Sequence, residues 1–202
     1  MAKTIELSRI ARAKIAQIDR LSVVELCNPT PGFKYLDPTR LTVTVTDLNL
    51  TGFTADKILS DELGVTAELP SLSHLTFIIS LGNTDEDIDR LVTAFSKLAT
   101  NYHQDIPLKL PQIPPPDRVL TAMAIPPRQA DRSRHLQVSI DVAIGKISAE
   151  SICPYPPGIP ILIPGEIITA DAVKYLRHIL NLGGEIVGCS DPSLQTLSIV
   201  DI

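Results

Sequence analysis

Two carboxylates, Glu150 and Glu166, bracket a proline-rich loop that also carries Tyr155, and these are the side chains with the clearest chemical potential. The stretch reads Gly145-Lys146-Ile147-Ser148-Ala149-Glu150, then Pro154-Tyr155-Pro156-Pro157-Gly158-Ile159-Pro160, then Pro164-Gly165-Glu166. Proline fixes φ and removes a backbone donor, so such a loop is stiff and cannot become helix. Carboxylates on its two stems can hold an ammonium or guanidinium group. They can equally satisfy backbone donors or face solvent. A tyrosine between prolines can likewise pack its ring and leave the hydroxyl at the surface.

Other reactive types are scattered. Cys27, Cys153 and Cys189 form no C-x-x-C pair, and His74, His103, His135 and His178 show no ligand spacing, so no metal centre is expected. Cys153, beside Pro154, reads as a small apolar filler with no partner base in view. Thr84, followed by Asp85, Glu86 and Asp87, reads as a helix N-cap and not as an anion site, because three carboxylates there would repel a phosphate. His178 is expected to interact with the C-terminus of its helix.

The elements that must position these groups follow from periodicity. Leu7, Ile10, Ala11, Ile15, Ile18 and Leu21 predict one buried stripe on a helix from Ile5 to Val24, stopped by Asn28-Pro29-Thr30-Pro31-Gly32. Leu41 to Thr46 alternates as a half-buried strand with a threonine face. Thr54 is expected to cap a helix that Gly64 closes. Strands follow at Val65–Leu69 and Leu75–Ser80, the second apolar enough to be central in its sheet. The helix after Thr84 buries Ile88, Leu91, Val92, Phe95 and Leu98.

Twelve of the 17 prolines lie between Pro107 and Pro164. The run Pro107–Pro116 predicts an extended connector and a domain boundary: residues 1–104, a linker at 105–118, and 119–202. The second half predicts a short helix around Gln129–Arg132, a mixed segment from His135 to Ile144, and strands near Lys146–Glu150 and Ile161–Ile163. A helix capped by Thr169 comes next, then strands at Glu185–Val187 and Leu194–Val200. The fold class is α/β in composition, of the α+β kind.

Bulk properties exclude several functions. A chain of 202 residues with 44% hydrophobic and 20% charged residues is an ordinary folded composition. Net charge of −5 gives no reason to expect nucleic acid or an anionic membrane as partner. No run approaches the roughly 20 apolar residues of a membrane span, and no signal-type block opens the chain, so a cytoplasmic protein is expected.

Several motifs, in order, resemble the bacterial ornithine/lysine/arginine decarboxylase family, whose enzymes use pyridoxal phosphate (PLP). These are Asp37-Pro38-Thr39-Arg40-Leu41-Thr42-Val43 with Thr51-Gly52-Phe53, and Ile79-Ser80-Leu81-Gly82-Asn83-Thr84 with Asp87 and Leu91. Pro127-Arg128-Gln129-Ala130, the proline-rich loop and Asp191-Pro192-Ser193-Leu194 complete the set. The resemblance implies a linking helix and an aminotransferase-type small domain, followed by the family's C-terminal domain. It also implies that Glu150, Tyr155 and Glu166 stand near the substrate entrance, with the carboxylates facing the distal cation of a basic amino acid. Arg40 is read as an ordinary salt-bridge partner, because a decarboxylase gains little from clamping the carboxylate it expels.

The family's cofactor lysine follows a histidine in a Ser-x-His-Lys motif. Here Lys3, Lys14, Lys34, Lys57, Lys97, Lys109, Lys146 and Lys174 all follow other residues. Decarboxylation leaves a carbanion whose electron sink is the PLP pyridinium. The expectation is therefore that the chain alone binds no cofactor and is inactive. It would be a split-gene product, a truncated gene or an excised portion, working with a PLP-binding large-domain chain or by self-association in polyamine biosynthesis. The alternatives are a non-catalytic regulatory or interaction module and a decaying relic, against which the intact caps, alternation and turns argue. A half-enzyme should keep the Leu7, Ile10, Ile15 and Ile18 stripe available for its large domain, whereas a free-standing module should bury it.

Overall fold

Alternation builds the centre of the first half. In β2 (Arg40–Thr44) Leu41 and Val43 are buried while Thr42 and Thr44 are half-exposed, and β4 (His74–Ile78) repeats the pattern with Leu75 and Phe77. The two pair antiparallel, Leu41 opposite Phe77, and the Thr42 and Thr76 hydroxyls meet at 2.9 Å across them. This computed structural model describes residues 1–26, 34–106, 108, 110, 122–155 and 158–201. The Asn28–Gly32 stop, Cys27, most of the Pro107–Pro116 connector, and Pro156–Pro157 lie outside the described residues. The chain divides into two compact units, Met1–Lys109 and Leu110–Ile202.

In the first unit β1 (Ser22–Val23) and β3 (Leu69–Pro70) flank that pair, in the order β1-β2-β4-β3, so β4 is an inner strand as its apolar run predicts. The helices α1 (Ala2–Ile15), α2 (Gly52–Leu63) and α3 (Asp85–Asn101) contribute much of the rest of the core, and connections add Leu21, Val45, Leu48, Leu50, Ala67 and Ile79. Phe95 of α3 meets Phe77 edge-on, ring centroids 5.6 Å apart, an arrangement the aromatic quadrupole favours.

Five boundaries in this unit differ from expectation. The strand expected over Leu41–Thr46 ends at Thr44, because the Val45 amide goes to the Ser73 carbonyl and Thr46–Leu48 forms a turn of 3-10 helix. Helix α1 ends at Ile15, not Val24: the amides of Gln17 and Ile18 reach carbonyls three residues back, Arg20 takes a left-handed φ of 62°, and Ser22–Val23 pairs with β2. The α2 cap is Thr51, not Thr54; its hydroxyl accepts the Thr54 amide at 3.0 Å. Gly52 permits this start, since a Cβ there would lie 2.2 Å from the Ser71 carbonyl oxygen. The Val65–Leu69 strand shrinks to Leu69–Pro70 because the Val65 amide goes to the Leu59 carbonyl and the Ala67 amide to the Asp56 carboxylate. β4 stops at Ile78, and the Ser80 amide turns to Asn83 Oδ1 at 2.7 Å.

The expected stripe is internal: Leu7, Ala11 and Ile15 are buried in the first unit's core, with Ile10 and Ile18 packed against it. Arg12, on the same helix, donates to the carbonyls of Val24 (2.9 Å), Pro38 and Arg40, tying together both ends of the segment between β1 and β2. Burial pushes its pKa below the usual guanidinium value.

The second unit holds α4 (Pro127–Arg132), β5 (His135–Ser139), α5 (Ile140–Ala143), β6 (Cys153–Tyr155), α6 (Ala170–Asn181), β7 (Glu185–Val187) and β8 (Thr196–Val200). β5 pairs antiparallel with β8, and β6 with β7. The expected strands at Lys146–Glu150 and Ile161–Ile163 are single bridges instead of ladders: Ile147 to Ile167, Ser148 to Ile199, Ile152 to Leu162. Each extended piece is only one or two residues long before a turn takes its donors. Thr169 caps α6 as expected, accepting the Ala172 amide at 3.1 Å. At the other end of α6 backbone amides from Leu182, Gly183 and Gly184 satisfy the last carbonyls. His178 is not needed there, and its Nε2 is buried with no partner among the described residues. Both units mix helices with antiparallel strands, an α+β fold.

Candidate functional site

The loop stem is built around Ser148, a fully buried serine. Its amide donates to the Glu166 carbonyl (2.8 Å), its carbonyl accepts the Gly165 amide (2.8 Å), and its hydroxyl donates to the Glu150 carbonyl (2.9 Å). One buried residue thus joins the two stems that carry the predicted carboxylates. Further out, the Ile152 amide reaches the Leu162 carbonyl (2.8 Å) and the Ile161 amide the Ile152 carbonyl (2.9 Å), so the loop leaves and returns as a narrow arm.

Both carboxylates accept backbone hydrogen bonds. Glu150 Oε1 accepts the Ser190 amide at 2.8 Å and Oε2 the Ser198 amide at 2.9 Å, which ties the outgoing stem to the β7–β8 connection. Glu166 Oε2 accepts the Ile163 amide at 2.9 Å across the Pro164-Gly165 turn. That turn requires glycine: Gly165 has φ 97°, and a Cβ would stand 2.1 Å from the Ile125 carbonyl oxygen.

Tyr155 lies away from these two. It closes β6 opposite Glu185 and is half-exposed, and Ile159 beyond it is 64% exposed. A Cβ on Gly158 would touch the Tyr155 ring at 3.4 Å, and the Gly158 amide donates to the Pro154 carbonyl at 2.9 Å. The structure therefore brings Glu150 and Glu166 together at the stem and places Tyr155 on the arm.

Asp191 is the residue whose role sequence reasoning missed. It accepts from the Ser193 amide and hydroxyl, and from the Thr196 amide and hydroxyl, both of the latter at 2.9 Å. These bonds hold its pKa down to about 2. The signal was available, since Asp-Pro-Ser is an Asx-type turn sequence. Ser190, next to it, donates to Gln137 Oε1, and Gln137 Nε2 donates to Thr196. Burial pushes the thiols of Cys153 and Cys189 up, with the Glu150 charge adding to the effect on Cys189, so neither is an activated nucleophile. Arg40 makes the expected ion pair, 3.7 Å from Asp37.

Among the described residues no group of three or more His, Cys, Asp or Glu is placed to hold a metal, and no helix is long and apolar enough to cross a membrane. A lysine that holds PLP must sit in an enclosed pocket. Every described lysine is exposed, and Lys3, Lys14 and Lys57 are engaged with Asp85, Asp89 and Asp61. Among the described residues, no lysine fits the role of holding the cofactor.

Comparison with known proteins gives this arrangement its context. Residues 117–190 match the Orn/Lys/Arg decarboxylase C-terminal domain. Over 98% of its length the chain is 35% identical to an arginine decarboxylase of Halalkalibacterium halodurans and 32% identical to one of Bacillus subtilis, covering 40% of each relative. The chain thus spans about 40% of the length of these curated relatives. The crystal structure of a Francisella novicida lysine decarboxylase superposes on 99% of this chain and 40% of its own, with TM-score 0.71 and 19% identity, a likeness of fold. By sequence along nearly its whole length, the chain belongs to the Orn/Lys/Arg decarboxylase family, matching the C-terminal part of its longer members.

Proposed function

We propose that these 202 residues supply the small domain and C-terminal domain of a PLP-dependent basic amino acid decarboxylase in the cytoplasm, with the cofactor held by a large domain outside them. The observation that carries this reading is the likeness to arginine decarboxylases over 98% of the chain, combined with the exposure of every described lysine. Arginine is the first substrate to test, since arginine decarboxylases match 98% of the chain by sequence and a lysine decarboxylase of Escherichia coli 29%. Tyr155 and Ile159 on the arm stand at the substrate entrance. Glu150 and Glu166 act there by holding the arm, and their carboxylates are the second candidates for the distal cation.

The buried Leu7–Ile15 stripe favours a second reading, a non-catalytic module with a self-contained core. A solved lysine decarboxylase has this same fold over 99% of the chain, so packing of α1 within the small domain is compatible with an enzyme too. Isolation of the chain with its native partners separates the two. The enzyme reading expects a stoichiometric association with a polypeptide portion that bears the Ser-x-His-Lys motif, PLP absorbance, and release of carbon dioxide from arginine only in that assembly. A colourless chain recovered without such a portion would overturn it in favour of the module.

A further inference from the structure

Side chains from β5, β8 and the connection between β7 and β8 close a polar circuit beside the arm. The Ser190 hydroxyl donates to Gln137 Oε1 at 3.2 Å, Gln137 Nε2 donates to Thr196 Oγ1 at 2.8 Å, and Thr196 Oγ1 donates to Asp191 Oδ2 at 2.9 Å. The peptide bond between Ser190 and Asp191 completes it. Chemistry fixes its direction. A carboxylate only accepts, so the Thr196 proton goes to Asp191; the threonine oxygen then takes an N–H of Gln137, which leaves Oε1 for Ser190. The turn that holds Asp191 is equally determined. The Leu194 amide reaches the Asp191 carbonyl at 3.0 Å, and Leu194 adopts φ 54° with its side chain in the second unit's core. A leucine keeps a left-handed backbone only where its surroundings compel it.

The arm meets this circuit at two places. On the outgoing stem, Glu150 Oε1 accepts the Ser190 amide at 2.8 Å. Further out, β6, which carries Tyr155, is paired with β7 alone among the described strands, and β7 ends at Val187, shortly before Ser190. Gly188 bends that short connection with φ 84°, and a Cβ there would stand 2.6 Å from the Ser151 carbonyl oxygen. Fixing Ser190 therefore fixes both where β7 leaves the arm and where Glu150 is held. Gln137 is exposed, so its two hydrogen bonds, and not burial, set the place of its side chain. Hydrogen bonds in series toward an anion strengthen one another, and loss of one member loosens the rest. We propose that Gln137 and Thr196 are positioning residues for the arm, acting through Ser190 on Glu150 and on the β6–β7 pair, and so setting Tyr155 at the substrate entrance. The entrance itself rests on the decarboxylase reading; the hold on the arm does not.

Amide hydrogen exchange of the full chain, followed by NMR, tests the hold. Gln137→Ala removes both side-chain bonds at an exposed position, and Thr196→Val removes the central hydroxyl while keeping a β-branched residue in its strand. Each should speed exchange about fivefold or more at the amides of Ser190, Gly158 and Ile161, the change that one lost hydrogen bond brings to a local opening. The amides of Ile168 and Val173, elsewhere in the same unit, should stay within about twofold of the parent. An arm that keeps the parent's rate in either variant, or a second unit that accelerates evenly, overturns the positioning role. In an enzyme assembled with the PLP-bearing portion, Gln137→Ala should raise KM for arginine about threefold or more with kcat within about twofold. An unchanged KM with a loosened arm overturns the assignment to the entrance. A parent assembly that turns over no arginine would sink the decarboxylase reading instead, and the exchange rates would still decide the circuit.

Discussion

Removal of the Glu150 carboxylate separates a positioning role from a substrate-binding one. Two backbone amides depend on it, from Ser190 at 2.8 Å and Ser198 at 2.9 Å. A hydrogen bond to a charged group contributes about 1.5–3 kcal/mol when its partner is left unsatisfied, and less where water can replace it. Ser190 is exposed, so its amide rehydrates, whereas Ser198 is half-buried in β8 and its amide does not do so freely. Glu150→Ala should therefore cost about 2–4 kcal/mol, or roughly 10–20 °C in Tm for a unit of this size. Glu150→Gln keeps one acceptor oxygen but turns an amide NH₂ toward the other donor, and should cost about half as much. Thermal unfolding of the chain alone measures both. Refutation would be two variants within about 0.5 kcal/mol of the parent that nonetheless raise KM for arginine in an assembled enzyme. The carboxylate would then be a cation ligand and not a clamp.

Two further perturbations probe the same unit. Gly145 and Gly165 both have positive φ, 82° and 97°, but only Gly165 has backbone in the way of a Cβ. Gly145→Ala should cost about 1–2 kcal/mol for the left-handed conformation alone, while Gly165→Ala also displaces the Met123–Ile125 segment and should cost about 3–5 kcal/mol; equal melting points would refute the steric argument. Asp191 titrates in the folded chain at about 2, below the usual 3.8. A depressed carboxyl pKa stabilises the fold above the unfolded value and loses that contribution as pH falls from about 4 through about 2. Asp191→Asn should thus start less stable at pH 6 and lose less Tm across that window than the parent, and parallel Tm–pH curves would contradict the assignment.

Much of the fold was readable because its causes are local. The Leu41–Thr44 alternation, the Thr84 cap and the Thr169 cap each lie within a few residues, where periodicity and capping chemistry act. The errors have long-range causes. α1 stops early because Ser22 and Val23 pair with Thr44 and Val43, across a connection that no local pattern describes. Val65–Ala67 leaves the sheet because Asp56 and Leu59, on the preceding helix, take its amides. The site divides along the same line. The proline loop announces itself in composition, but the donors that occupy Glu150 lie 40 and 48 residues further on, in the β7–β8 connection and in β8, whose placement the sequence does not specify.

The arm that carries Tyr155 is fixed at its base. Its stem is stitched from three directions, to β8, to the Gly165 turn and to the Leu162 side, and at least one oxygen of each stem carboxylate is held by a backbone amide. Its outer part offers the half-exposed Tyr155 ring and the more exposed Ile159. Burying an isoleucine is worth about 1.5–3 kcal/mol, the gain open to any partner that covered Ile159. A rigid arm with an apolar end can shape an entrance and exclude water, but it cannot by itself choose a cation. On the proposed assignment, selection among basic amino acids falls to charged groups on the large domain that holds the cofactor, unless the spare capacity of Glu150 and Glu166 is used. Truncation of the end alone, Tyr155→Ala with Ile159→Ala, should then change substrate affinity in the assembled enzyme while leaving the order of preference among lysine, ornithine and arginine intact. A reordered preference would place specificity on the arm and refute this division.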